Sequence, residues 1–166
     1  MKTQNNGSTA TLHDELTIER KFNLPVATIW KAWSDPESFK KWWGPKEYDC
    51  PSCSIDFKVG GKYLASMRSK KDGSEVWSTG RYQEIIPNQR IVYTDSFADS
   101  KGNIVDGAYY KMPAMPEETQ VTITLREVGG NTFMTLRHEG IPEEMQDDCP
   151  VKAGNRHLTK WKKFKS

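Results

Sequence analysis

The feature that most constrains this chain is a change of period. From Tyr48 to Glu139 segment after segment alternates apolar and polar residues in strand fashion, whereas helical spacing is confined to a short stretch before that region and to the tail. The segment "ELTIERKFNL" opens the ordered part with Leu16, Ile18 and Phe22 on one side, and Arg20 interrupts the stripe. Pro25 then suits a first helical turn, and Val26, Ile29, Trp30 and Trp33 fall at i, i+3, i+4 and i+7. In "SDPESF" Asp35 can cap a second short helix whose apolar side is Phe39, Trp42 and Trp43, and Gly44-Pro45 stops it.

The strand region follows. "CSIDFKV" alternates Cys53, Ile55, Phe57 and Val59 with polar residues, Gly60-Gly61 turns the chain, and "KYLASMRS" leads to the hairpin signal Asp72-Gly73. "VWSTGRYQEII" and "RIVYTDSF" flank a "PNQ" turn, and the sequence leaves their inward parity undetermined. "TQVTITLREV" and "TFMTLRHEG" form a hairpin around Gly129-Gly130, with Val121, Ile123 and Leu125 facing the core opposite Met134, Leu136 and His138. Beyond Pro142, a cap at Asp147 or Asp148, Pro150 in the first turn and a loose apolar side of Val151, Gly154, Leu158, Trp161 and Phe164 predict a last helix.

An antiparallel sheet of this length has one face that must be covered, and the only long helix on offer is the last. The order therefore predicts an α+β, helix-grip fold: a curved antiparallel sheet of about seven strands wrapped around a long C-terminal helix, with two short helices after the first strand. The polar, aperiodic residues 1–13 read as a flexible leader and residues 14–166 as a single domain, within the usual domain size for a chain of 166 residues. The connection 98–118 carries four glycines and prolines together with Tyr109, Tyr110, Met112 and Met115. It reads equally as a binding lid or as a surface loop tucked onto the core.

Several function classes are excluded by charge and composition. Lysine and arginine number 24 against 22 acidic residues, so the chain as a whole offers no electrostatic footprint for nucleic acid. No apolar run approaches the roughly 20 residues that span a bilayer, and the first residues lack the apolar core of a signal peptide, which predicts a cytoplasmic protein without membrane attachment. The basic finish "HLTKWKKFKS" is either the solvated face of an amphipathic helix or a surface for an acidic partner.

The set of motifs W-x-A-W-S-D-P, W-W-G-P, D-F-x-x-G-G-x-Y, G-x-Y-x-E-I-x-P and L-x-H, carried by "VATIWKAWSDPESFKKWWGP", "IDFKVGGKY", "GRYQEIIPNQ" and "FMTLRHEG", resembles the bacterial branch of the START-like, or SRPBCC, superfamily. More closely it is similar to the family named after the activator of the heat-shock-protein-ninety ATPase, from about Glu15 to about Lys163. The resemblance implies the helix-grip fold. It also implies one of three activities: binding an apolar small molecule, cyclase- or hydrolase-type catalysis, or stimulation of a chaperone ATPase in a stress response. Members commonly carry Gly-Trp near the start of the last helix, where this chain has Gly154-Asn155, so Leu158 or Trp161 must supply that contact.

Cys50 and Cys53 form a C-x-x-C, but His138, His157 and Cys149 offer no second pair at zinc spacing, so no metal or other cofactor is expected. In an extended strand the Cα atoms of the two would lie about 10 Å apart with the side chains on opposite faces, Cys50 outward and Cys53 inward, too far for a disulfide. Cys53 and His138, both expected inward, are the candidate nucleophile and base, with Asp95 or Glu139 as orienter; both types are also ordinary core residues. The aromatic set is more informative. Trp30, Trp33, Phe39, Trp43, Phe57, Tyr63 and Tyr82 are expected to line a chamber between sheet and last helix. Cys53, Met67, Thr94, Met134, His138 and Leu158 would join its wall, and Tyr110 and Met112 would close it from the connection. The leading expectation is a non-catalytic binder of an apolar or aromatic small molecule, with an enzyme acting through His138 and a tyrosine as alternative; a homodimer or a chaperone partner is left open.

Overall fold

The computed structural model describes residues 15–43 and 47–142. Eight antiparallel strands form one curled sheet: β1 (Glu15–Phe22), β2 (Tyr48–Asp49), β3 (Cys53–Ile55), β4 (Lys62–Ser69), β5 (Glu75–Ile86), β6 (Arg90–Ala98), β7 (Thr119–Val128) and β8 (Asn131–Glu139). Their spatial order is β1-β8-β7-β6-β5-β4-β2, with β3 also on β4. The first strand thus pairs with the last, and the consecutive strands between them form a meander. The two-residue β2 and three-residue β3 bring the total one above the expected seven.

Two helices carry the chain from one edge of the sheet to the other, α1 (Val26–Ser34) and α2 (Pro36–Phe39). The α2 cap is as expected: the Asp35 carboxylate accepts from both the backbone N–H and the hydroxyl of Ser38, each at 2.9 Å. Those hydrogen bonds hold the Asp35 carboxyl below its ordinary pKa, the backbone one most. α1 has no side-chain cap of its own. Its first N–H, on Val26, instead donates to Glu127 at 2.7 Å, and Thr132 donates to the Leu24 carbonyl, which ties the helix start to the β7–β8 hairpin. That hairpin turns on Gly129 and Gly130 at φ +60° and +80°, the left-handed pair that a two-residue type I′ turn requires.

The concave face is set by register. Leu16, Ile18, Arg20 and Phe22 of β1 stand beside His138, Leu136 and Met134 of β8, which stand beside Val121, Ile123 and Leu125 of β7. The parity the sequence left open is resolved by pairing: Ser78 and Tyr82 of β5, with Tyr93, Asp95 and Phe97 of β6, share that face. Thr79, Thr94 and Ser96 point to the other.

Two expectations need correction. The strand read over Cys53–Val59 ends at Ile55, so Val59 is exposed at 62% in the turn that follows. Cys50, expected outward, is buried and belongs to the core. The cause is a one-residue shift of register on β4 between Asp49↔Arg68 and Cys53↔Ala65. An inserted residue flips the alternation, so Cys50 and Cys53 fall on one side. The long C-terminal helix, and Leu158 with it, lies outside the described residues.

Candidate functional site

The inner face divides into an aromatic end and a polar end. At the first, Trp33, Phe39 and Trp42 meet edge to face with centroids 4.5 and 4.9 Å apart for Trp33–Trp42 and Phe39–Trp42, and Phe39 stacks on Trp43 at 4.8 Å. The Trp42 indole N–H donates to the Ala32 carbonyl at 2.8 Å, so its polar atom is satisfied inside the core. Trp30 and Phe57 continue the layer at 5.5 Å, and Phe57 reaches Tyr82 at 5.0 Å. The cavity among Trp33, Phe39, Tyr63, Tyr82, Ile91 and Tyr93 is about 10 Å³, room for one water at most. This layer is packed ring on ring.

The polar end begins where the rings stop. Tyr63, packed against Tyr93 at 5.5 Å, donates its hydroxyl to the Asp95 carboxylate. The other oxygen of that carboxylate is 3.8 Å from His138 Nε2. Thr119 sits between them, its hydroxyl 2.8 Å from the same Nε2 and 3.2 Å from the Asp95 carbonyl. The Thr119 hydroxyl has one proton; spent on the carbonyl, it leaves Nε2 of the neutral imidazole as the donor to Thr119. β4, β6, β7 and β8 thus each contribute one residue.

Burial dominates the electrostatics. It pushes the Asp95 carboxyl up to about 6, against the opposing effect of the Tyr63 hydrogen bond, and it pulls the His138 imidazole down to about 4. Tyr63 is held well above the ordinary tyrosine value, first by burial and then by the Asp95 charge. Near neutral pH the cluster therefore holds one carboxylate against a neutral histidine. A cavity of about 20 Å³ opens beside it, walled by Ser78, Phe97, Met115 and Pro116. The last two come from the connection 98–118, which is anchored at Tyr110: its hydroxyl accepts from the Trp77 N–H at 3.1 Å and donates to the Ala98 carbonyl at 2.5 Å.

The remaining candidates fall as follows. Cys53 and His138 are not brought together: Cys53 lies half-buried on β3 opposite Ala65, and burial pushes its thiol up to about 12, so it is not a thiolate near neutrality. Met67 and Met134 are buried on the inner face, and Met112 is half-buried in the connection. Thr94 faces away from the chamber, its hydroxyl accepting from the Arg81 N–H at 3.0 Å. Asp95, which sequence reasoning placed only as a loose orienter, is the centre of the cluster. The signal that could have found it was a carboxylate in a β-strand run of otherwise buried residues, two positions from Tyr93 and from Phe97. Among the described residues no group of three or more His, Cys, Asp or Glu is placed to hold a metal ion, and no helix is long and apolar enough to cross a membrane.

A curled antiparallel sheet with two short helices after the first strand, and a largely apolar concave face that carries a polar cluster, belongs to the START-like class. Within it, the chain belongs to the family described as Activator of Hsp90 ATPase homolog 1-like protein, whose model matches residues 23–163. The crystal structure of a protein from Chromobacterium violaceum is similar with a TM-score of 0.72 at 25% identity, covering 91% of this chain and 94% of that one. A solution structure from Staphylococcus epidermidis matches at 0.68 and 23% identity over 91% and 88%. That of an AHSA1-like protein from Aeromonas hydrophila matches at 0.63 and 15% over 91% and 95%. No curated protein matches the chain.

Proposed function

We propose that this protein binds a small molecule with an apolar or aromatic body and one polar group, holding the polar group at Asp95, His138 and Thr119. The carrying observation is a carboxylate set into a face otherwise built for burial, with no lysine or arginine paired to it among the described residues. Such a group costs stability unless something uses it, because desolvating a carboxylate costs several kcal/mol. A hydroxyl or amide N–H of a ligand can be matched here by the Asp95 carboxylate and by the remaining lone pair of the Thr119 hydroxyl oxygen, since the Thr119 and Tyr63 protons are already donated to Asp95. The cavity of about 20 Å³ requires Met115 and Pro116 to move aside for anything larger than water, so the connection 98–118 acts as the gate.

Thermal melting against a library of lipophilic alcohols, acids and amides tests this. At a hundredfold excess over Kd a ligand adds about 2.7 kcal/mol, which raises the melting temperature by roughly 5 to 10 °C. The Asp95→Asn variant keeps the shape and should lose most of that shift. A library without a single stabilising ligand, or an equal shift in the variant, counts against the reading.

One observation favours a second reading, acid–base catalysis on the bound molecule: Asp95, at about 6, can give or take a proton near neutrality. Turnover of a bound ligand that falls with an apparent pKa near 6 and vanishes in Asp95→Asn would support it. Binding without turnover would exclude it.

A further inference from the structure

A cavity larger than the one beside Asp95 lies on the outer face of the sheet. On the outer face the segment after β6 folds back, with Ile104 bridging to Ala98 and Gly102 lying against Leu64, and encloses about 100 Å³. That is about five times the cavity beside Asp95 and enough for several waters or a ligand of a few heavy atoms. Its floor is hydroxylated: Thr79, Thr94 and Ser96 are all buried. Thr79 spends its proton on the Tyr63 carbonyl at 2.6 Å, whereas Thr94 accepts from the Arg81 N–H and keeps its proton for the cavity. The hydroxyl of Ser96, a residue 6% exposed, makes no hydrogen bond among the described residues.

The wall carries two like charges. Lys62 and Arg81 are register partners on β4 and β5, so two cations stand directly opposite each other at this cavity. Like charges in that position are destabilising. Neither makes an ion pair with a carboxylate among the described residues; Arg81 only donates to the Gly60 carbonyl at 3.2 Å. Glu118 lines the same cavity. Gly80, between Thr79 and Arg81 in sequence, is fixed as glycine, because a Cβ there would sit 1.7 Å from the Thr94 carbonyl oxygen.

We propose that this outer cavity is a second binding site, for a small oxyanion that also carries a hydroxyl. The oxyanion bridges Lys62 and Arg81, the hydroxyls of Thr94 and Ser96 complete its hydrogen bonds, and the ligand's own hydroxyl donates to Glu118. This site is independent of the concave-face reading and stands or falls separately.

The test is an amide-resolved NMR titration of the full chain with glycerol 3-phosphate, inorganic phosphate and glycerol. Glycerol 3-phosphate should shift Thr79, Gly80, Arg81, Ser96 and Gly102 saturably, and inorganic phosphate should shift the same amides more weakly. Glycerol should leave them unmoved. Lys62→Gln, an exposed substitution that keeps the fold, should weaken glycerol 3-phosphate about tenfold, the worth of one charge-assisted hydrogen bond. Ser96→Ala should weaken it a few-fold. Unsaturable or scattered shifts, or an unchanged affinity in Lys62→Gln, would overturn the site. Phosphate binding as tightly as glycerol 3-phosphate would overturn the role of Glu118 and the ligand hydroxyl. Shifts centred on Asp95 and His138 instead would assign the anion to the concave face and also overturn the proposal.

Discussion

The two ends of the concave face share one sheet, with rings from α1, α2 and the turn after them added at the aromatic end, yet they do different work. At the aromatic end, contacts are ring on ring, the Trp42 indole N–H is matched by the Ala32 carbonyl, and the residual space is about 10 Å³. At the polar end a half-buried carboxylate meets a buried imidazole and two buried hydroxyls beside a gap that Met115 and Pro116 help to wall. Tyr63 joins the two, its ring in the aromatic layer and its hydroxyl on Asp95. The lesson is that a cluster of tryptophans marks the part of such a chain that holds it together, while the few polar atoms set into the same face mark where it can recognise something.

The largest expected effect breaks the aromatic end. Trp42→Ala removes a ring in contact with three others and a buried hydrogen bond, and should cost about 3 to 5 kcal/mol in urea unfolding. A loss under about 1 kcal/mol would show that the layer is loose enough to be a chamber.

The next test sharpens the polar end through pH. Asp95 has a folded value raised above its ordinary 3.8 to about 6, so its contribution to stability is present at low pH and is lost as pH rises through that window. His138, lowered from 6.5 to about 4, does the reverse: its contribution is present above 6.5 and is lost as pH falls. Each is worth about 3 kcal/mol by the size of its shift, and between pH 4 and 6 the two slopes oppose each other. Relative to the unmodified chain, His138→Gln should therefore gain stability as pH falls from 6 to 4, and Asp95→Asn should lose it. Parallel stability curves for the three proteins would mean that neither group is buried as described.

The smallest effect concerns the gate. Tyr110→Phe deletes a hydroxyl that bonds the Trp77 N–H and the Ala98 carbonyl, which should cost about 1 to 2 kcal/mol and speed amide exchange at Trp77. Unchanged exchange there would mean that the connection is held by something other than Tyr110.

Much of the fold was legible because alternation, turn glycines and a capping aspartate are local signals, and each strand from Lys62 onward lies where they put it. The parity of β5 and β6 was not legible, because Thr79 and Thr94 are as buried as their inward neighbours and erase the alternation. Cys50 was misplaced for a related reason: its orientation depends on a register shift against β4, a strand that follows it in sequence. The site was legible only in pieces. Tyr63 and His138 were named, but Asp95 and Thr119 become partners through pairings of β6 with β7 and β7 with β8, and no local pattern encodes which inward polar residues will meet.

The most direct measurement of the division between the two ends is a structure of the protein bound to any lipophilic ligand that raises its melting temperature. The ligand's polar atom should lie within hydrogen-bond distance of Asp95 Oδ2, His138 Nε2 or Thr119 Oγ1, with Met115 and Pro116 displaced and the rings of Trp33, Phe39 and Trp42 unmoved. A ligand inserted among those three rings, with Asp95 and His138 untouched, would contradict it.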